Sequence, residues 1–186
     1  MGLSSNSIIH FTNTKEKLKG ILTENFKIKY CLEEILFTDG GPVKYAAPMV
    51  SFCDIPFSEV KNHISNYGPY GIGLTKEWAE RNGLNPVIYL DRKSSLAKSY
   101  WSIYDNYLLK SKKKMEELNP EENSLLDLLR YMKNYQSDLV RAGKVSKDYR
   151  FSDEREWRYV PPFSKDYFMV LAESYYDTDE KKLSEN

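Results

Sequence analysis

The order of strand-like and helix-like patterns along this chain limits the folds open to it. Strand-like runs stand at both ends of the 186 residues, and a long helical stretch, about 93–143, separates them. Strands at both ends with helices between them argue an α+β fold: one domain over residues 1–174, carrying a helical insert. The polar end, "YYDTDEKKLSEN", reads as a fraying C-terminal tail over 175–186. A chain of this length supports one good core and is short for two.

Along the chain, "SIIHFT" is a short strand, and "NTKEKLKGILTEN" a helix with Leu18, Ile21 and Leu22 on one face behind a Thr12/Thr14 capping region. "FKIKYC" alternates Phe26, Ile28 and Tyr30 against lysines, as a half-buried strand does. The glycines and prolines of "TDGGPVKYAAP" predict a loop, and "MVSFCDI" a second apolar strand. "PFSEVKNHISNYG" reads as a helix with proline near its start and glycine past its end. "YGIGLT" is a strand, Thr75 a cap for the short helix "KEWAERNG", and "PVIYL" a further strand. In the helical stretch Tyr100, Trp101, Tyr104 and Leu108 form one stripe and "KSKKK" a solvated side, with "NPEEN" breaking it into two helices. Strand patterns resume at Glu154 and in "YFMVLAE".

Charge removes several function classes. Lysine plus arginine equals aspartate plus glutamate, 27 each, so no global field draws the chain to nucleic acid or anionic lipid. Cys31 and Cys53 form no CxxC pair, which argues reduced thiols in a cytosol rather than a disulfide framework or zinc site. No apolar stretch is long enough to cross a bilayer and no leader pattern is visible, so the expectation is a soluble, cytoplasmic protein without membrane partners.

The stretch "FSDEREWRYVPP" carries the sharpest chemical question. If residues 154–160 form a strand, period two sets Glu154, Glu156 and Arg158 on one face and Arg155, Trp157 and Tyr159 on the other. The aromatic face can bury, presenting two carboxylates together toward a cleft or solvent. Two adjacent carboxylates beside an arginine can take different ionisation and hydrogen-bonding roles, as glycosyl-transferring sites require. The plainer alternative is a solvated sheet edge with a cross-strand salt bridge. His10, flanked by isoleucine and phenylalanine, suits a hydrogen-bonded structural role. Ser51, Asp54, His63, Tyr67 and Tyr70 are each core or loop when taken singly. His10, His63, Cys53 and Asp54 show no metal-ligand spacing, and Ser51 lacks the GxSxG elbow of a serine nucleophile. The lysines of "KSKKK" beside Tyr100, Trp101, Tyr104 and Tyr107 offer stacking and phosphate contact, but fit a core stripe with a solvated helix end better.

The motifs "IIHFT…LKGIL", "PMVSFCDIP", "YGPYGIGLTKEWA", "NPVIYL" and "DEREWRYVP", in that order, resemble the AbiGi family of abortive phage-resistance proteins, described as antitoxins. A histidine in the opening strand, a serine on a middle strand and a late Glu-x-Glu also make the chain similar to the ADP-ribosyltransferase superfamily, which includes DNA-modifying toxins. That second resemblance implies a split β-sheet with flanking helices, NAD as co-substrate, and a nucleic acid or protein as acceptor. It assigns His10, with Thr12 beside it, to the adenosine-side ribose, Ser51 to the nicotinamide ribose and Tyr67 or Tyr70 to nicotinamide stacking. Glu156 would bond the ribose 2′-hydroxyl, and Glu154 would orient or deprotonate the acceptor. A carboxylate on that hydroxyl binds more strongly as positive charge builds on the ribose. Together the resemblances imply a phage-defence or toxin-antitoxin protein, either an NAD-dependent ADP-ribosyltransferase or a non-catalytic antitoxin or binding module with a cognate toxin or antitoxin as partner.

Overall fold

The computed structural model describes residues 6–141, 143–162 and 169–172, so the tail expected at 175–186 lies outside the described residues. The chain opens with β1 (Ser7–Thr12), α1 (Lys15–Glu24), β2 (Lys29–Phe37) and the long β3 (Gly41–Cys53). It continues through α2 (Val60–Tyr67), β4 (Tyr70–Thr75), α3 (Lys76–Arg81), β5 (Asn85–Pro86) and β6 (Ile88–Leu90). Next come α4 (Ser95–Tyr104), α5 (Pro120–Arg130), β7 (Met132–Asn134), β8 (Ser137–Arg141) and β9 (Lys144–Tyr149). The last described elements are β10 (Glu156–Tyr159) and β11 (Leu171–Ala172). This is an α+β chain.

It divides into two compact units. Among the described residues, one draws on 6–29, 49–87 and 136–161, the other on 30–48, 88–135 and 162–172. In the first unit the strand order is β4-β1-β3-β10-β5, every pairing antiparallel. The register places Ile9 and Glu156 on either side of Cys53, Trp157 opposite Phe52, and Arg158 opposite Ser51. Residues directly opposite share a face, so the register assigns every side chain of the sheet to one side or the other.

One face is apolar. Ile8, Val50, Phe52, Ala79 and Leu84 form its sealed centre, with Phe26, Leu74, Trp78, Trp157 and Tyr159 packed around them. Each fully buried Ile, Val or Phe there contributes about 1.5–3 kcal/mol. The opposite face carries Phe11, Ser51, Cys53, Glu156 and Arg158, with His63 of α2 against Phe11 at 4.8 Å between ring centroids. Thr14 caps α1 by accepting from the Lys17 N–H at 3.2 Å, and Thr75 caps α3 through Trp78 N at 3.1 Å. The expected apolar face of α1 is weaker than its pattern: Leu18 and Ile21 are half-buried and Leu22 is exposed. Gly68 ends α2 at φ 105°, where a Cβ would stand 2.4 Å from Asn13 Cα and 2.5 Å from the Thr12 carbonyl oxygen.

In the second unit β2 and β11 pair with the Gly41–Pro48 half of β3, and β6 pairs in parallel with β7. Asn119 and Glu122 close a reciprocal capping box on α5 with Pro120 in its first turn. Asn134 acts as a stand-in strand, accepting from Leu36 N at 2.7 Å and donating to Leu36 O at 3.1 Å. The indole of Trp101 lies where a Cβ on Gly40 would be, 2.0 Å from the nearest ring atom, so any side chain here requires the indole to move.

Three expectations need correction. "GPVKYAAP" is strand and not loop, because pairing with β2 and β11 supplies what its proline- and glycine-rich composition argues against. Phe26 belongs to no strand; it packs edge-on against Phe52 at 5.2 Å, and β2 begins at Lys29. The helical stretch ends at Arg130, since Met132–Asn134 pairs with β6 and Ser137–Arg141 with β9. In each case a long-range partner outweighs local preference.

Candidate polar site on the β3–β10 face

The glutamates of "DEREW" do not share a strand. Phe151–Glu154 is a 3₁₀ turn, Arg155 takes a left-handed conformation at φ 45°, and β10 begins only at Glu156. The kink resets the alternation, so period two does not carry from Glu154 to Glu156. Nor is this a solvated edge: β10 is paired on both sides, with β3 and with β5. Its charged face is the sealed one, with Glu156 4% and Arg158 0% exposed, while Trp157 and Tyr159 are half-buried.

Glu156 is held within the sheet. Its Oε1 accepts from Ser51 Oγ at 2.8 Å and from Arg158 Nε at 2.7 Å, and its Oε2 accepts from Arg158 Nη2 at 3.3 Å. A forked guanidinium–carboxylate contact of this kind satisfies a buried charge and fixes both side chains.

Ser51 and Glu156 are thus brought together as the sequence-based assignment requires. His10, Thr12 and Tyr70 are not in their company. Thr12 and Tyr70 are direct partners in the β1–β4 register, and alternation puts His10 with them on the apolar face. His10 stands edge-on to Phe26 at 5.3 Å and Phe52 at 5.6 Å. Its Nδ1–H donates to the Ser51 carbonyl at 2.8 Å, which leaves Nε2 as the bare nitrogen of a neutral ring. Burial lowers its pKa, and the bond to the carbonyl only partly opposes that.

Glu154 and Tyr67 meet in a second cluster. Glu154 Oε1 accepts from the hydroxyls of Tyr67 and Tyr149, the latter at 2.9 Å. Burial first, then the Glu154 charge, raises the pKa of Tyr149 well above the usual phenol range. Tyr67 stacks on His63 with ring centroids 4.2 Å apart and planes 12° from parallel. His63 Nε2 in turn lies 3.0 Å from Cys53 Sγ. His63, Asn66 and Tyr149 line a pocket of about 710 Å³ whose rim includes Lys147, Arg150 and Arg155 together with Glu59, Asp148 and Asp153. The pocket mixes both signs in equal number, so it offers hydrogen-bonding variety rather than a net field.

Tyr149 and the Cys53–His63 contact escaped the reading from sequence. The alternation in "MVSFC" does put Cys53 on the face of Ser51, a legible signal; the reach of His63 back to it depends on how α2 returns over the sheet. Among the described residues no group of three or more His, Cys, Asp or Glu side chains could hold a metal ion, and no helix is long and apolar enough to cross a membrane.

Comparison with known proteins adds the family. The model described as "Putative abortive phage resistance protein AbiGi, antitoxin" matches residues 14–186. An abortive phage resistance protein AbiGi from Lactococcus lactis subsp. cremoris is 31% identical over 144 residues, covering 69% of this chain and 57% of the relative. The chain therefore matches little more than half of that relative's length. No solved structure matches it. With the family pattern running from α1 to the last residue, and its "SFCDIP" and "DEREWRYVP" motifs meeting at the β3–β10 pairing, this chain belongs to the AbiGi family of abortive phage-resistance proteins.

Proposed function

We propose that this chain is a non-catalytic antitoxin or binding module of an abortive-infection system, acting on a cognate toxic protein in phage defence. The observation that carries this reading is the state of Glu156. Its carboxylate is buried, neutralised by Arg158 and bonded to Ser51 within the sheet, the arrangement of a structural ion pair. A glutamate that stabilises positive charge on a ribose needs its oxygens directed at substrate. The family description as an antitoxin points the same way. A protein that neutralises another needs a defined surface, not a reaction.

A second reading, NAD-dependent ADP-ribosyl transfer to a nucleic acid or protein, draws support from one contact, the 2.8 Å bond between Ser51 and Glu156. Against it stands the separation of residues: His10, Thr12 and Tyr70 lie on the other face of the sheet. The side chains that the resemblance assigns to NAD therefore do not line one binding surface.

The deciding experiment incubates the purified chain with labelled NAD, cell lysate and separate RNA and DNA pools, with Glu156→Gln alongside. The same two proteins are assayed for rescue of cells expressing the cognate toxin. The binding-module reading expects no label transfer and no nicotinamide release from either protein, rescue by the wild type, and rescue by Glu156→Gln to the extent that circular dichroism shows it folded. Transfer by the wild type that Glu156→Gln abolishes overturns it in favour of the transferase.

A further inference from the structure

The neutralising role leaves one reactive pair unexplained. Cys53 Sγ and His63 Nε2 are 3.0 Å apart, both residues are buried at 8% and 5% exposure, and His63 forms part of the wall of the 710 Å³ pocket. The imidazole is fixed from two sides, by the stack on Tyr67 and by Phe11, so its nitrogen is held on the sulfur and is not a rotamer that swings away. A nearby base or cation raises the thiolate fraction at neutral pH, and an oriented imidazole is one way to supply it.

The carboxylates nearest the pair are each engaged by other groups. The titratable groups in the network around the pair are Tyr67 from α2, Glu154 from the turn before β10, Tyr149 from β9 and Glu156, directly across from Cys53 on β10; Asp54, next to Cys53, is paired with Lys76, and the pocket that His63 lines also carries Glu59, Asp148 and Asp153 against Lys147, Arg150 and Arg155. The Glu154 and Glu156 carboxylates oppose a thiolate. The Glu154 charge is shared with two phenol hydroxyls and the Glu156 charge is offset by Arg158, while the His63 imidazole is in direct contact with the sulfur.

We propose that Cys53 and His63 form a thiol–imidazole pair that makes Cys53 an oxidant-reactive modification site whose substrate is hydrogen peroxide or another small hydroperoxide. Size selects that class: at 8% exposure Cys53 is open to a two-oxygen reagent and closed to bulky electrophiles. The thiol proton passes to His63 Nε2. The sulfur then attacks one peroxide oxygen, an S–O bond forms as the O–O bond breaks, and the departing hydroxide takes the proton from His63 to leave as water. The sulfur is oxidised to sulfenic acid and the peroxide reduced, with no further reactant. The added oxygen does not fit the 3.0 Å gap, so the imidazole is displaced and takes with it the Tyr67 stack that leads to Glu154. Oxidation therefore reshapes the pocket wall.

The test treats the folded full chain with hydrogen peroxide, traps sulfenic acid with dimedone and locates the adduct by peptide mass. Labelling at Cys53 is expected, at a rate that changes little from about pH 8 to about pH 6, whereas an unassisted thiol of pKa about 8.5 slows roughly tenfold per unit. His63→Gln is expected to slow labelling on the order of tenfold while Cys53→Ser removes it. Should His63→Gln fail to fold, the wild-type pH profile decides alone. Labelling of Cys53 only in denaturant, or a tenfold fall per pH unit, overturns the proposal. Neither outcome bears on whether the chain is an antitoxin, because the NAD and rescue assays read that separately.

Discussion

Replacing Arg158 with methionine isolates the contribution of the buried ion pair. The guanidinium is 0% exposed and makes two contacts with Glu156, at 2.7 and 3.3 Å, so Arg158→Met leaves a buried carboxylate without its cation. Breaking such a pair from one side costs about 3–5 kcal/mol, because the remaining charge keeps its desolvation penalty and loses its compensation. In a chain of this size each kcal/mol moves the midpoint by about 2–4 °C, which gives a fall in Tm of roughly 6–20 °C. Methionine fills most of the vacated volume, so little of that loss comes from a cavity. Urea unfolding followed by tryptophan fluorescence reads the change, with Trp157 beside the site as reporter. The double variant Glu156→Gln/Arg158→Met removes both charges and is expected to regain a large part of the loss, a coupling that a double-mutant cycle isolates. As a control, Glu24→Gln breaks the exposed Glu24–Lys27 pair and is expected to leave the unfolding midpoint unchanged. A loss below about 1 kcal/mol for Arg158→Met, or a double variant no more stable than the single one, would refute the claim that this pair is buried and mutually compensating.

Three further outcomes are expected. His10 has a lowered pKa in the folded state, so between its ordinary value near 6.5 and that lower value the unfolded chain binds the extra proton; stability is full above that range and falls as pH drops through it. A His10→Gln variant, compared with the wild type by chemical denaturation from about pH 7.5 to 5, should show a flatter profile, and an equal slope in both proteins rejects the assignment. Gly68→Ala places a Cβ within 2.5 Å of the Thr12 carbonyl oxygen at a positive φ and should destabilise by at least ~2 kcal/mol, read as a shift in the urea midpoint. Glu154→Gln removes the charge beside Tyr149, so ultraviolet titration of tyrosinate should show one phenol returning toward the ordinary range; no change would place Tyr149 away from Glu154.

Much of the local structure was legible from residue types because its causes are local. Thr14 and Thr75 cap helices by reaching backbone N–H groups three residues away, and "YGIGLT" alternates wherever it is placed. The family motifs and the mixed α+β character also follow from order along the chain. What needed the tertiary structure was everything that depends on a partner far away in sequence. Met132–Asn134 is a strand because β6 lies beside it, and the stretch around Tyr45 is a strand because β2 and β11 pair with it.

The site divides along the same line. Period two in "EREWRYV" suggests a Glu154–Glu156 face, and one left-handed residue, Arg155, is enough to break it. Pattern alone leaves the charged side of β10 to a cleft or to solvent and puts its aromatic side against the core, where Trp157 and Tyr159 do pack. The register against β3 buries the charged side as well, because Ser51 and Arg158 come to lie opposite each other and both can meet Glu156 there. A buried charge is tolerated only where a counter-charge is already in place, and that condition is set by strand pairing across more than a hundred residues of sequence. The same pairing turns His10 to the aromatic face and brings Cys53 under His63, two placements that composition and spacing leave open.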